Sequence, residues 1–223
     1  MRRTTTNGIC TYCNVEISKN SRSILSHLSN CQGKHPAEKS GGVEYVLMLI
    51  QDKYSPEYWL VIKAKSDIPM KRIDKFIRDV WVECCGHLSQ FSDKHSKIPM
   101  TRSLTQVYSE GHKIDYVYDF GSSTEITLSM IQTIQDKDDK EITILIRNKE
   151  PELQCSSCDK KAIAICPYCI DEGEGFLCES CIIEHKCVQE EGEDLLSPLV
   201  NSPRAGVCGY TGSIDKQIKK YFP

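Results

Sequence analysis

Apolar residues concentrate between positions 43 and 149, and they follow two periods. "VEYVLMLI" and "YWLVIKAK" are β-rich runs flanking a polar turn that holds Pro56, which predicts an antiparallel hairpin. The period then changes. Ile73, Phe76, Ile77, Val80, Trp81 and Cys84 recur at i, i+3, i+4, i+7, i+8 and i+11, one face of a helix. Pro69 suits its first turn and Gly86 its stop. "SLTQVYSEG" predicts a shorter helix ending at Gly111. Alternation returns at Ile114, Tyr116, Tyr118 and Phe120, turns at "DFGSS", and resumes with Ile126 and Leu128. "EITILIRNK" closes the zone with Ile142, Ile144 and Ile146. Four or five strands and one long helix predict an α+β domain, its sheet mostly antiparallel and half covered.

Outside this zone the pattern breaks down, and the chain divides accordingly. Residues 1–40 hold a cysteine pair, a short helical pattern and the linker "GKHPAEKSGG". Residues 41–150 form the central domain, 151–190 a cysteine-dense module and 191–223 a polar tail. Segments such as "DKKAIAI" and "DEGEGFL" hold too few apolar residues to fold unaided, so something other than a core must order them. The candidate is metal. Thirteen cysteines with no readable secretion signal argue against disulfides and for a cytoplasmic, metal-binding protein. The longest apolar runs are strand-sized, well short of the ~20 residues of a membrane helix.

The module reads Cys155-x2-Cys158-x7-Cys166-x2-Cys169-x8-Cys178-x2-Cys181-x3-His185-x1-Cys187. Eight thiol and imidazole donors match two tetrahedral zinc sites. A sequential pairing would join the first four cysteines across seven residues. A crossed pairing sets Cys155, Cys158, Cys178 and Cys181 on one ion and Cys166, Cys169, His185 and Cys187 on the other. The crossed form is preferred, because its first site has the ribbon spacing of about fifteen to twenty residues between pairs. Its spacing resembles B-box and RING-type cross-braces. Cys208, in "AGVCGYTG", is the reserve ligand should Cys187 not coordinate. Four donors per ion leave no position for water, so these sites are expected to be structural and not catalytic.

The amino-terminal segment gives Cys10-x2-Cys13-x13-His27-x3-Cys31, with His27 and Cys31 four apart on a helix starting near Ser21. Ile24, Leu25 and Leu28 would pack its minimal core, and His35 belongs to the linker. This resembles a CCHC variant of the ββα or BED-type finger. About three zinc ions are therefore expected in all. Net charge is only -3, but residues 1–40 hold six Lys/Arg against two Asp/Glu, whereas residues 151–223 hold seven against twelve. Lys19, Arg22 and Lys34 make the finger mildly basic. A lone finger covers only ~3 base pairs, too few for a specific site.

The central zone resembles the plasmid pRiA4b Orf-three-like family, often labelled as passengers of insertion elements. The resemblance rests on "YWLVIKAKSDIPMKRIDKFIRDVWVECCGHLSQF" and "GHKIDYVYDFGSSTEITLSM". Trp59, Trp81, His87, Phe91, Tyr118, Asp119, Phe120, Gly121 and Glu125 occupy the matching places. Leu60 stands where many members have Arg. The tail "NSPRAGVCGYTG" is similar to that of a zinc-bearing subset. The resemblance implies an α+β fold and carries no settled activity.

Two functions remain open. One is a non-enzymatic zinc-binding adaptor, holding DNA or RNA on its basic finger or a protein on its carboxy-terminal zinc module. The other is an enzyme whose site gathers His87, Cys85 and Asp119 in the central domain. Cys84 continues the apolar helix face, Cys85 ends the helix and Asp119 suits a turn cap, so structural roles are expected of all three. Neither a Ser/His/Asp set nor a nucleotide loop is present in the sequence.

Overall fold

Val46, Met48 and Ile50 alternate with Leu47 and Leu49 along one strand, and both sets find cover. The computed structural model describes residues 6–31, 42–94, 96–109 and 111–223. His35 and Lys34 lie outside these. The chain opens with β1 (Gly8–Cys10), β2 (Glu16–Ile17) and α1 (Ser21–Asn30). The hairpin β3 (Val43–Asp52) and β4 (Trp59–Lys65) follows, then α2 (Met70–Ile77), which runs into a π-turn at Arg78–Val82. Next come β5 (Ser89–Asp93), β6 (Ser96–Ile98), the short α3 (Leu104–Val107), β7 (Lys113–Tyr118), β8 (Thr124–Asp136) and β9 (Ile142–Asn148). A nine-stranded sheet takes up these strands in the order β2-β1-β9-β4-β3-β8-β7-β5-β6, every pairing antiparallel.

The sheet is half covered at β5, β7 and β8, where buried and half-exposed residues alternate as expected, and is covered on both sides at β9, β4 and β3, where the finger packs. Val46, Met48 and Ile50 face the main core with Ile73, Phe76, Val80 and Trp81. Leu47 turns to a second cluster made with Trp59 and with Ile24 and Leu28 of α1. The finger is therefore packed onto the sheet, and its β1 pairs with β9. A register shift between Val61 and Ile62 accommodates an extra residue on β9. Ile142 and Ile144 stay in the main core, while Leu145 and Ile146 both pack on the finger side.

There is no single long helix among the described residues. The apolar face expected over positions 73–84 is real, but α2 ends at Ile77 and five residues continue with π winding, closed by Glu83 N–H donating to the Arg78 carbonyl at 3.0 Å. That looser turn buries Asp79, Val80, Trp81 and Val82 together. Asp79 accepts hydrogen bonds from Lys75 at 3.0 Å, and from Lys220 and Tyr221 at 2.8 Å each. The short helix stops at Val107, before Gly111. Phe120, expected inside with Tyr116 and Tyr118, is 57% exposed, because Asp119 adopts a left-handed conformation (φ 64°) and redirects the chain.

Beyond the sheet lie β10 (Ala164–Ile165), β11 (Phe176–Leu177), α4 (Glu179–Glu184), α5 (Lys186–Glu191), β12 (Ser197–Pro198) and α6 (Asp215–Lys219). A small sheet, β11-β10-β12, ties residues 197–198 into the cysteine-dense module. The segment read as a polar tail straps across the central domain. Ser202 Oγ donates to the Trp81 carbonyl at 2.6 Å, and Tyr221 meets Phe76 edge-on with centroids 4.8 Å apart.

Candidate metal centres

In the finger, Cys10 ends β1 and Cys13 lies within a tight turn closed by Asn14 N–H donating to the Cys10 carbonyl at 2.9 Å. Asn14 takes the left-handed conformation (φ 59°) that such a knuckle needs, one that asparagine tolerates better than most residues. Asn20 caps α1 by accepting from Ser23 N–H at 2.8 Å, which aims His27 and Cys31 back at the knuckle. Cys10 Sγ lies 3.9 Å from Cys31 Sγ, and Cys13 Sγ lies 3.5 Å from His27 Nε2. Burial lowers the His27 pKa, favouring the neutral imidazole that ligates metal.

In the module, β10 and β11 form a hairpin with Cys166 following one strand and Cys178 following the other. Antiparallel pairing sends these cysteines to opposite ends, and that is what separates the two donor sets. Cys155, Cys158, Cys178 and Cys181 converge, with Cys158 Sγ 3.6 Å from Cys178 Sγ and 3.7 Å from Cys181 Sγ. Cys166, Cys169, His185 and Cys187 converge separately, with Cys169 Sγ 3.6 Å from both His185 Nε2 and Cys187 Sγ. The sets are the crossed ones, and Cys187 rather than Cys208 stands with the second.

A fourth cluster joins Cys84, Cys85 and His87, just past the π-turn, to Cys208 of the strap. Cys85 Sγ is 3.7 Å from Cys84 Sγ, 3.6 Å from Cys208 Sγ and 2.9 Å from His87 Nε2; His87 Nε2 is 3.4 Å from Cys208 Sγ. No spacing motif links residues so far apart, so sequence reasoning missed the set. A signal was nonetheless present. The three readable sites use ten of the thirteen cysteines, and the three left over are the thiols of this cluster.

In each cluster the donor atoms lie within 4.8 Å of one another. A tetrahedral zinc with bonds of about 2.3 Å to sulfur and 2.0 Å to nitrogen would set S···S edges near 3.8 Å and S···N edges near 3.5 Å. The S···S separations of 3.6–3.9 Å fit such edges and are far beyond the ~2.05 Å of a disulfide, and the S···N separations are 3.4–3.6 Å apart from the closer Cys85–His87 approach at 2.9 Å. Electrostatics agree. The Ser180 hydroxyl and the Cys181 backbone N–H lower the Cys178 thiol to about 6, whereas Cys178, Cys158 and Cys155 hold Cys181 up at about 12. Crowded thiols cannot all ionise unless a cation joins them. Four clusters are thus placed to hold a metal ion, and their donor sets, one of four sulfurs and three of three sulfurs and a nitrogen, fit zinc.

The residues of the enzymatic alternative do come together, in an unsuitable order. Asp119 Oδ2 lies 3.6 Å from His87 Nε2, the same nitrogen that faces Cys85 and Cys208. A nucleophile–base–carboxylate relay needs the two ring nitrogens to face different partners. Hydrogen bonding to Arg204 holds the Asp119 carboxyl at about 2, and the neighbouring Cys208 and Cys84 hold Cys85 up at about 12, the reverse of nucleophile activation. On the finger, Lys19 Nζ donates to the Pro56 carbonyl at 2.9 Å, which leaves Arg22 as the exposed cation of α1. No helix among the described residues is long and apolar enough to cross a membrane.

No family model and no curated protein matches the chain. Among solved structures, a crystal structure of a protein of unknown function from Methanosarcina mazei Go1 is similar, with 15% identity and a TM-score of 0.41 over 47% of this chain and 68% of that one.

Proposed function

We propose that the protein is a non-enzymatic, cytoplasmic zinc-binding adaptor whose partner is a protein, docked through a basic segment. The observation that supports this is a cleft of about 890 Å³ between the central sheet and the two-metal module. Its walls include Glu57 and Tyr58 from the β3–β4 turn, Asp159 and Asp171 from the module, and Pro203 from the strap, with no Lys or Arg among the lining residues. Carboxylates on a concave, low-dielectric wall focus a field that attracts cations and repels phosphate. The metal ions serve as braces that keep the wall in shape. With four donors already gathered at each, the clusters need no water or substrate to complete a tetrahedron. The reading also takes the central domain to be of the plasmid pRiA4b Orf-three-like type, a resemblance that brings no activity with it.

The test is affinity capture with the zinc-loaded full chain and with a Glu57→Gln/Asp159→Asn variant. Wild type should retain a basic protein that the variant releases, with weakening at higher salt. Equal retention by both forms would end the cleft reading. Retention of DNA or RNA instead, with a steep salt dependence, would move the interface to the finger.

A further inference from the structure

The fourth cluster differs from the other three in provenance and exposure. Its donors come from two chain regions more than 120 residues apart, so no local turn accounts for their meeting. Cys85 and Cys208 are exposed, whereas every other cluster contains at least one buried cysteine. Cys208, read from the sequence as the reserve ligand for the second module site, does not join that site. Instead it sits at the surface with φ 53°, between Val207 and Gly209, and Gly206 and Gly209 also take left-handed angles (φ 80° and 62°). A non-glycine residue in that region is strained, and strain of this kind gathers at functional positions. Asp119 beside the cluster takes the same left-handed region (φ 64°), which its side chain supports by accepting from Gly121 N–H at 2.9 Å.

The surroundings are those of a thiolate–metal centre. Arg204 is fully buried in the strap. Its Nη2 donates to Asp119 Oδ2 at 2.6 Å and to Cys84 Sγ at 3.6 Å, and Nη1 donates to the Ser122 carbonyl at 2.5 Å and to Thr124 Oγ1 at 3.1 Å. The Tyr118 hydroxyl lies 3.8 Å from Cys84 Sγ and accepts from the backbone N–H groups of Cys84 and His87 at 3.4 Å each. Three thiolates on one divalent ion leave a net negative charge, and a buried guanidinium donating to one of the sulfurs offsets it. Outer hydrogen bonds of this type fix ligand orientation in metal sites.

We propose that Cys84, Cys85, His87 and Cys208 bind a fourth divalent ion of the zinc class, and that this ion clasps the strap at 199–208 to the central domain. Binding releases the thiol protons and changes no oxidation state. The proposal stands apart from the docking reading, because its readouts are metal content and strap order.

The experiment compares the purified full chain, loaded with zinc alone, with its Cys208→Ser variant. Zinc content should fall from four ions per chain to three. In wild type, Cys85 and Cys208 should resist alkylation despite their exposure, and should react at least ten-fold faster once a chelator has removed the first ion. Hydrogen exchange over 199–208 should accelerate in the variant while β3 and β8 stay protected. Serine at this exposed position removes the donor without opening a cavity, so failure to fold is not expected; should it occur, the wild-type alkylation pattern decides the matter. Three ions in both forms, or a disulfide between Cys85 and either Cys84 or Cys208, would overturn the site. Loss of one ion with no change in strap exchange would overturn the clasp.

Discussion

The two-metal module buries mainly Ala162, Ala164, Ile165, Leu177 and Val188 besides its cysteines, whereas the central sheet buries Trp59, Phe76, Trp81, Phe91 and Tyr116 completely. Small and aliphatic side chains bury too little surface to order about forty residues, so the module depends on its ions. Aromatic side chains carry the largest apolar area, and the sheet holds itself. One chain therefore contains a region whose stability is a metal affinity and another whose stability is a transfer free energy. They should fail under different treatments.

Chelation gives the largest contrast. Stripping metal at neutral pH removes ~10–16 kcal/mol of apparent folding free energy per structural site. Residues 155–187 should then lose hydrogen-exchange protection completely, while β3, β4 and β8 keep theirs. Joint collapse of both regions would show that the module and the sheet fold as one unit.

Phe76→Ala should do the reverse. Phe76 is fully buried in the main core, and truncation of such a residue costs about 3–5 kcal/mol. Chemical denaturation should register that loss, with zinc content unchanged. Cutting the buried guanidinium out with Arg204→Met leaves Asp119, the Ser122 carbonyl and Thr124 Oγ1 without their donor and should cost roughly 3 kcal/mol.

Acidity sharpens the comparison further. Cys178 is already a thiolate above pH 6, so zinc displaces one proton fewer there than it does below that value. Chelator competition on the 155/158/178/181 site should therefore show affinity falling more steeply with acidity below pH 6 than above it, while the sheet's thermal stability changes little over the same range. The smallest effect belongs to the finger. Asn20→Ala removes the α1 cap and should lower stability by about 1 kcal/mol, without loss of metal.

The sequence was most legible where donors or apolar residues are close neighbours along the chain. Cys155 to Cys187 spelled out two sites because knuckle spacing is local, and the β3–β4 and β7–β8 hairpins were visible because each turn is short. Long-range information was hidden. The Cys85–Cys208 approach depends on how the strap crosses the domain, and nothing in "ECCGH" or "GVCG" encodes that crossing locally. The π-turn was equally opaque, because its period differs from the α period only over five residues. Phe120 misled for a related reason: alternation predicts a face only while the backbone stays extended, and Asp119 ends the extension.

The pairing of β1 with β9 has a further consequence. Strand Ile142–Asn148 holds Ile142, Ile144, Leu145 and Ile146, and on one side the short Gly8–Cys10 segment and Thr11 occupy its hydrogen-bonding groups from Leu145 to Asn148. An apolar strand with an open ladder is a template for other chains. Removal of residues 1–31 would bare that ladder, and the shortened protein should self-associate through it, so the finger also keeps neighbouring molecules apart.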